Sequence, residues 1–387
     1  MASEKKIAVD GTILHPSEDG YLFLMINTGS TSTKVGIYRD MERLVAKAVR
    51  YDSAELERRF KTIRDQRELR VQGILDCIAE NGYSMSDFDA VITRGAIVRP
   101  VPSGPMLVTE GMIADGELIG GFHPVSLGLR VAKELADEAG IPCFTADPSS
   151  TDELCDEARY SGFPEIQRVC QYQPLNHKRI ARLWAADHGK RYEDLNLVIA
   201  HMGGGTTVGA HRYGRCIDVN EGNRGEGPMT PERPGTVPLV PVIEECFSGK
   251  YTLAQMVYRV YHGGGIKAYL GTSDLQEVER RALEEGDENA KGVLDAFIYQ
   301  VAKEIGAMCA VLCGEVDAII LTGGVAYSDY IVTEIRRRVG KWVPVDAYPG
   351  EDELGALASN ILRYLHGECE LMEYDDKAPY VGFDHLK

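Results

Sequence analysis

The sequence lacks the features that mark several specialised classes of protein. Its nine cysteines form no CxxC pair, which argues against a disulfide framework or a zinc site. No apolar run reaches the ~18 residues that a membrane-spanning helix needs. Residues 1–20 are polar and have no apolar core of the kind that a signal peptide carries, so we expect a frayed extension there. These absences predict a cytoplasmic protein without a membrane partner.

Positive charge is also scarce. Lysine and arginine number 42 against 59 aspartates and glutamates, which gives a formal net charge of −17. Binding to nucleic acid or to anionic lipid needs a cationic face, so neither partner is expected. An acidic protein that binds an anion must concentrate its few cations locally. Arginines beside glycine-rich turns are therefore the cations to examine.

The length of the chain predicts two domains. At 387 residues and 44% hydrophobic content, the chain is a typical globular sequence that is too long for one compact core. No low-complexity tract or flexible linker interrupts it. We place an N-terminal domain at residues 1–150 and a C-terminal domain at 151–352. We expect the last helical segment, about 353–387, to pack back onto the first domain.

Two turns rich in glycine and hydroxyl groups lie about half a chain apart. Apolar residues 22–26 precede the first turn and apolar residues 197–200 precede the second, and each turn leads into another strand-like run. Such turns point N–H and hydroxyl groups at one spot, which suits a phosphate. The pair predicts a duplicated domain that holds a nucleotide between its halves. The candidate phosphate-binding residues are Asn27, Gly29, Ser30, Thr31, Lys34, His201, Gly203, Gly204, Gly205 and Thr206.

The first turn is not a P-loop. Residues 29–34 resemble that motif superficially, but the second glycine is absent and residues 35–38 are strand-like where a helix should begin. An ordinary hairpin is the plain alternative for each turn. A third turn at Gly323 and Gly324 also ends an apolar strand, where ligands of α/β sheets gather, and could line an adenosine pocket.

The remaining periodicity indicates a layered α/β fold. Apolar residues at three- and four-residue steps predict helical structure over 56–78, 127–139, 252–261, 293–312 and 353–365. Short strands are expected at 89–92, 142–146 and 317–321. Strands alternating with helices are typical of α/β layers. Residues 212–241 are rich in glycine and proline, and we expect an irregular site loop there.

Several of these stretches together resemble a known family. Residues 26–34, 201–211, 225–238, 269–272 and 321–327 are similar to the motifs of the acetate kinase family, within the acetate and sugar kinase/Hsp70/actin superfamily. The butyrate kinases are the most similar members, and the resemblance runs from about residue 21 to about 366. It implies two duplicated actin-like (ribonuclease H-like) domains, with mixed sheets flanked by helices and an interdomain cleft. It also implies a homodimer or larger homo-oligomer.

The resemblance implies reversible phosphoryl transfer between ATP and butyrate or a near relative such as isobutyrate. The products would be an acyl phosphate and ADP, with Mg²⁺ as the metal. The chemistry of the substrates supports this requirement independently. A carboxylate with a pKa of ~4–5 is already ionised, so no general base is needed. The site must instead neutralise two anions and align them, which calls for arginines, a metal and hydrogen-bond donors.

The family motifs assign roles to four residues near the reacting phosphate. Arg94, after a short strand, is the first candidate clamp, and Arg233 is the second. Arg99 has a weaker role, and His123 matches a histidine near the transferring phosphate. The plain alternatives are a surface arginine at 94, an ion pair of Arg233 with its neighbour Glu232, and a structural histidine at 123.

The family motifs also assign the metal site. Asp147 matches the carboxylate associated with Mg²⁺, although an aspartate before proline is also a common turn former. Glu351 and Glu353 flank the start of the last helix, where the family has a metal-linked glutamate. Matching of the helix dipole would explain them equally well. Because Mg²⁺ usually takes one or two carboxylates besides phosphate oxygens and water, Asp147 and one glutamate would suffice.

The chain departs from the family pattern at Gln173, where a histidine normally donates to the transferring phosphoryl group. Glutamine still donates a hydrogen bond but carries no charge, which could lower the rate by on the order of tens-fold. An ATP-binding paralogue with weak or lost activity therefore remains an alternative, as does an acetate or propionate kinase. A sugar kinase is less expected, because no aspartate stands out as the general base for a hydroxyl.

Overall fold

The structure is a computed structural model that describes residues 8–9, 12–14, 18–119 and 124–375. Within these residues the chain divides into two units. The first unit comprises the residues up to Thr151 together with those from Asp352 onward, and the second unit is Asp152–Glu351. All nine cysteines are free. No helix in the described part is long and apolar enough to cross a bilayer.

The strands are short to medium in length and fall into three sheets. They are β1 Ala8–Val9, β2 Thr12–Ile13, β3 Leu22–Thr28, β4 Ser32–Arg39, β5 Glu42–Arg50, β6 Ala90–Thr93, β7 Pro105–Leu107, β8 Cys143–Ala146, β9 Asn196–Met202, β10 Thr206–Arg212, β11 Arg215–Val219, β12 Ala318–Gly323 and β13 Val345–Pro349.

Helices follow or separate most of these strands. They are α1 Ser53–Arg59, α2 Arg67–Glu80, α3 Glu110–Ile119, α4 Pro124–Ala139, α5 Pro174–Asp187, α6 Leu239–Phe247, α7 Leu253–His262, α8 Gly265–Leu270, α9 Leu275–Leu283, α10 Glu288–Val311, α11 Asp329–Val339 and α12 Glu353–Leu365.

The first unit is a mixed sheet covered by helices on both faces. Its strand order is β5-β4-β3-β6-β8-β7, with β3 antiparallel to β4 and parallel to β6. Because side chains alternate along a strand, Val35 and Ile37 pack with α2 and α4 while Gly36 faces the other side. There Gly36 meets Leu354 of α12 so closely that an added Cβ would lie 2.9 Å from it.

The second unit repeats the central part of this arrangement. Its strand order is β11-β10-β9-β12-β13, again a three-stranded antiparallel meander followed by parallel strands. Val198 and Ala200 of β9 pack with α10, whereas Leu197 and Ile199 pack with α5 on the opposite face. The predicted architecture of mixed sheets flanked by helices is therefore confirmed.

Three local expectations were wrong. The helical periodicity over 56–78 is split between α1 and α2, with a 3-10 turn at Ile63–Gln66 between them. The segment 212–241 is not wholly irregular, because it contains β11 and the first turn of α6. Within the extension at residues 1–20, the described part includes the short antiparallel pair of β1 and β2.

Candidate active site

The first glycine turn joins β3 to β4 and exposes donors at its tip. The Gly29 N–H donates to the Ser32 carbonyl at 2.8 Å, which closes the turn. Ser30 and Thr31 are exposed, and within the described chain no acceptor binds their N–H groups. Because β4 follows the turn directly, the loop is a hairpin and not a P-loop. The turn leaves these backbone donors exposed, and its role in binding an anion stays a prediction.

A buried arginine binds the backbone carbonyls of this turn. Arg70 of α2 is 0% exposed, and its guanidinium donates to the carbonyls of Gly29 (3.0 Å), Ser30 (2.8 Å) and Ser32 (2.9 Å). Burial lowers the pKa of Arg70. Because the carbonyl oxygens of the turn point toward Arg70, the N–H groups face its outer side. The sequence patterns did not indicate this residue, because it occupies an ordinary position on an amphipathic helix.

Glu353 brings together three of the predicted site residues in the first unit. As the first residue of α12, it accepts a hydrogen bond from the Asn27 amide at 2.7 Å and pairs with Arg94 at 2.8 Å. The Lys34 ammonium lies 3.9 Å from the same carboxylate. Arg94 remains 39% exposed, so its other N–H groups face solvent or a ligand. Glu353 thus binds the cations that the sequence assigns to phosphate recognition.

Asp147 lies at the carboxyl end of β8 in a constrained position. Its φ of +42° is in the left-handed region, and its side chain is 2% exposed. One carboxylate oxygen accepts from the Ser103 hydroxyl (2.7 Å) and the Gly104 N–H (2.9 Å), and the other accepts from Asn360 at 3.2 Å. The second oxygen keeps a free lone pair for water or a metal.

The described residues contain no group of three or more His, Cys, Asp or Glu side chains suited to hold a metal. The three predicted metal ligands have different surroundings. Glu353 binds Arg94, Asp147 binds three donors, and Glu351 belongs to the second unit, where it lies 3.7 Å from the His201 Nε2 atom. A Mg²⁺ ion would therefore depend on phosphate oxygens and water for most of its ligands.

One further predicted residue of the first unit, Arg99, does not contribute to this cluster. Arg99 forms a bidentate ion pair with Asp115, at 2.5 and 2.8 Å, and Tyr374 donates to the same carboxylate. The Arg99 hydrogen bonds lower the pKa of Asp115. This arrangement is structural. His123 lies outside the described residues.

The second glycine turn connects β9 to β10 in the second unit. The Gly203 N–H donates to the Gly205 carbonyl at 2.9 Å, and the Thr230 hydroxyl donates to the Gly204 carbonyl at 2.9 Å. A Cβ at Gly204 would meet nothing within 4 Å, so this part of the turn is open. The hydroxyl of Thr230 therefore fixes the turn from the loop that follows β11.

Arg233 packs directly against this turn. A Cβ on Gly205 would lie 2.3 Å from its Nη1 atom, so any other residue there would have to displace the guanidinium. Nη1 also donates to the Gly222 carbonyl at 3.1 Å, while the buried Nε has no partner among the described residues. Burial lowers the pKa of Arg233. Glu232 accepts from Ser273 instead of forming an ion pair with Arg233. A buried, unpartnered guanidinium donor beside an open turn is suited to an anionic ligand.

Gln173 reaches the same place as Arg233. Its Nε2 atom lies 3.5 Å from the position of a Cβ on Gly205, and its carbonyl oxygen accepts from the Thr207 hydroxyl at 2.5 Å. His177, the neighbouring histidine, is fully buried and bonds His211 and Thr207. It therefore does not replace the missing family histidine.

His201, next to the last residue of β9, has a defined tautomer. The Asn176 amide nitrogen donates to its Nδ1 atom at 2.8 Å and to the Thr322 hydroxyl at 3.2 Å. With Nδ1 accepting, the proton of the neutral ring is on Nε2, on the side of Gly203 and Glu351. Thr206, next to the turn, is fully buried. Asn176 and Thr322 position this ring, a role that the sequence analysis gave to neither residue.

The third glycine turn borders a cavity in the second unit. Gly323 has a φ of +86°, and a Cβ there would lie 2.3 Å from the Met202 carbonyl oxygen, so glycine is required. The cavity measures about 340 Å³, which is within the range of ligand pockets. Gly324 lines it, as do Leu275, Gln276, Arg280, Tyr327 and Ser328.

Comparison with known proteins identifies the family. The model of the acetokinase family matches residues 172–340. The chain is 44% identical to butyrate kinase 1 of Clostridium acetobutylicum over 92% of this chain and 99% of that protein. It is 43% identical to a probable butyrate kinase of Clostridium botulinum (strain Alaska E43 / Type E3) over 90% and 98% of the two chains.

A solved structure agrees on the fold. The Porphyromonas gingivalis acetate kinase superposes with a TM-score of 0.75 at 17% identity, covering 89% of this chain and 99% of that one. The resemblance deduced from the glycine turns is thus confirmed, and the chain belongs to the acetokinase family.

Proposed function

We propose that this protein transfers the γ-phosphoryl group of ATP reversibly to a short-chain carboxylate, with butyrate or isobutyrate as the preferred acid. The relatives named butyrate kinases align over nearly their whole length, which supports this substrate class. The observation that carries the proposal is Arg233, whose half-buried guanidinium lies against Gly205 with its buried Nε unpartnered in the described chain. That arrangement is suited to the oxygens of a transferring phosphoryl group.

We assign the nucleotide to the second unit. The cavity beside Gly324 has the size and the mixed lining that an adenosine requires. The turn of Gly203, Gly204 and Gly205 then offers backbone donors to the phosphates. Arg233 and Gln173 supply side-chain donors at the same turn.

We assign the acid and the accepting side of the reaction to the first unit. Arg94 keeps free donors while Glu353 holds its Nη1, so it can bind a second anion. Asn27 and the turn at Ser30 and Thr31 add neutral donors. These groups would orient the carboxylate of the acid without removing a proton from it.

The reaction then needs only alignment and charge neutralisation. A carboxylate oxygen of the acid attacks the γ-phosphorus, and the bond from that phosphorus to the bridging oxygen of ADP breaks. The electron pair of that bond leaves with ADP, and no proton has to move. Arg233 stabilises the negative charge on the phosphoryl oxygens, and Arg94 neutralises the carboxylate of the acid.

Mg²⁺ fits this site through Asp147. The carboxylate of Asp147 is held by three donors and retains one lone pair, and Glu353 of the same unit would supply a second carboxylate. When bound, Mg²⁺ neutralises phosphate charge. Asp147 would serve it as a fixed, oriented acceptor.

The rival function is that of an ATP-binding paralogue with weak or lost activity, and Gln173 motivates it. An acetate or propionate kinase is the other alternative, because one methylene in an apolar pocket changes binding by only ~1–3 kcal/mol. The amide nitrogen of Gln173 lies next to Gly205, which favours a retained donor over a lost one.

A hydroxamate assay with Mg-ATP and straight or branched acids of two to six carbons tests these assignments. We expect acyl phosphate from butyrate or isobutyrate, with a higher kcat/KM than from acetate or propionate. Tight ATP binding without acyl phosphate from any acid would favour the paralogue. A higher kcat/KM for acetate or propionate would contradict the assignment of the acid.

We also propose that two copies of the chain associate through α6 and α7. Neither helix buries a residue within its unit, and Phe247 and Leu253 are 87% and 82% exposed. Exposed apolar surface of this kind marks protein contacts. Light scattering should give a dimer for the native chain and a monomer for Phe247→Glu, with exposed Ile166→Glu as the control. A native monomer would contradict the proposal.

The free cysteines support a location in the reducing cytoplasm.

A further inference from the structure

A chain of hydrogen bonds runs through the core of the second unit and ends at Gln173. The Tyr192 hydroxyl lies 2.6 Å from His211 Nδ1, and His211 Nε2 lies 3.1 Å from His177 Nδ1. His177 Nε2 lies 3.1 Å from the Thr207 hydroxyl, which lies 2.5 Å from the Gln173 amide oxygen. We refer to these five side chains as the Tyr192–Gln173 chain. Its first four members are buried.

The end at Gln173 gives every bond in the chain one direction. An amide oxygen only accepts, so the Thr207 hydroxyl donates its one proton to Gln173. The Thr207 oxygen must then accept from His177 Nε2–H, which leaves His177 Nδ1 as an acceptor. His211 therefore donates from Nε2 and accepts at Nδ1 from Tyr192.

This order requires both histidine rings to be neutral. Burial lowers the pKa of His177 and of His211 well below the usual range of histidine. The charged and titratable groups that face the rings act in the same direction. His201 stacks on His177, Lys178 and Arg182 repel a proton from the rings, and Tyr172 meets His177 edge-on without supplying a negative charge.

We propose that the Tyr192–Gln173 chain holds the Gln173 amide with its NH₂ group toward Gly205 and Arg233, where it donates a neutral hydrogen bond to the transferring phosphoryl group. Gln173 is then a catalytic residue, and the other four members are positioning residues. The inference rests on the phosphoryl transfer proposed above, and it assigns the step that the family histidine otherwise performs to an uncharged donor.

The orientation of the Gln173 amide matters because its oxygen only accepts hydrogen bonds and its nitrogen only donates them. If the amide turned over, its oxygen would face the phosphoryl oxygens and repel them. A turned amide could bond Thr207 only if the hydroxyl donated to His177 Nε2 instead and both histidine rings changed tautomer, so the order of the whole chain holds the amide in place. A neutral amide does not titrate, so this donor should act equally well across the pH range in which the protein is folded.

The test compares Thr207→Val with Thr207→Ser in the full chain. Valine removes the hydroxyl that fixes the amide, and we expect kcat to fall about tenfold while the KM values for ATP and acid change less than twofold. Serine restores the hydroxyl and should restore most of kcat. Unchanged kcat in Thr207→Val, or a loss that serine does not reverse, would overturn the proposal.

Two further comparisons separate positioning from general stability. Tyr192→Phe removes the far end of the chain and should lower kcat more than Tyr330→Phe, whose hydroxyl binds Asp295 outside the chain. Gln173→His introduces a titratable donor and should make kcat depend on pH near 6–7, where that of the native enzyme is flat. Matching pH profiles for the native enzyme and Gln173→His would contradict a neutral donor.

Failure of this inference differs from failure of the proposed function. A native enzyme that forms acyl phosphate, but is indifferent to Thr207→Val, refutes only the positioning role. A native enzyme that forms acyl phosphate from no acid refutes the phosphoryl transfer itself, and the role of Gln173 falls with it.

Discussion

Replacing Arg70 by methionine should disable the first glycine turn while leaving the helix that carries it intact. The guanidinium donates to three backbone carbonyls of the turn, to the Thr33 hydroxyl and to the Gln66 side chain. Methionine fills a similar volume and has good helix propensity. The direct effect is therefore on the carbonyls that Arg70 binds.

The expected loss of stability is smaller than the sum of five bonds. A hydrogen bond to a charged group contributes about 1.5–3 kcal/mol. Water can reach part of the exposed turn, and removing a buried charge recovers its desolvation cost. We estimate a net loss of about 3 kcal/mol in the first unit, or a decrease in Tm of about 6–12 °C. Loosening the donors at Ser30 and Thr31 should also lower kcat/KM for the acid about a hundredfold.

The assay is a thermal melt, followed by kinetics with varied acid concentration at a temperature where the variant is fully folded. Arg67→Met is the matched control, because Arg67 lies on the same helix and forms a half-exposed pair with Glu134. Such a pair is worth under about 1 kcal/mol, and it has no contact with the turn. If Arg70→Met were as stable and as active as Arg67→Met, the turn would not depend on Arg70.

Three other outcomes follow from the structure. Gly205→Ala should reduce kcat at least tenfold because the added Cβ displaces the Arg233 guanidinium; normal kcat would place Arg233 outside the reaction. Because His177 and His211 stay neutral when folded, the unfolded chain gains protons that the folded one does not. The free energy of unfolding should therefore decrease as the pH falls below about 6.5, by up to about 1.4 kcal/mol per pH unit for each ring. A Tm that stays constant from pH 7.5 to 5.5 would contradict this. Glu353→Gln should raise the KM for the acid severalfold in the same hydroxamate assay, because it releases the Arg94 guanidinium that the Glu353 carboxylate holds. An unchanged KM would contradict this role of Glu353.

The sequence predicted those strands and helices whose buried residues form a strong apolar pattern. Both hairpin strands ahead of the glycine turns are fully buried, and α12 begins and ends at the predicted residues. It did not predict β5, because this strand is mostly exposed and its nine residues show no clean alternation. Strand β11 was missed for a similar reason, since glycine and proline around it mask a short strand.

The sequence indicated candidate residues that belong to a motif, and their roles stay predictions; it gave no signal for residues that bind a motif turn from its buried side. Arg233 lies against Gly205, and Arg94 contacts the same glutamate as Asn27. Arg70 could not be found this way, because its contacts are to backbone carbonyls of residues distant in sequence. The burial of His177 likewise depends on tertiary packing.

Isotope transfer from the acid tests the central claim most directly. Butyrate labelled with ¹⁸O at both carboxylate oxygens is incubated with the enzyme and Mg-ATP, and hydroxylamine then traps the product by attack at the acyl carbon. If a carboxylate oxygen attacks the γ-phosphorus, the phosphate released should carry one ¹⁸O atom. Unlabelled phosphate would show transfer to water and would contradict the account.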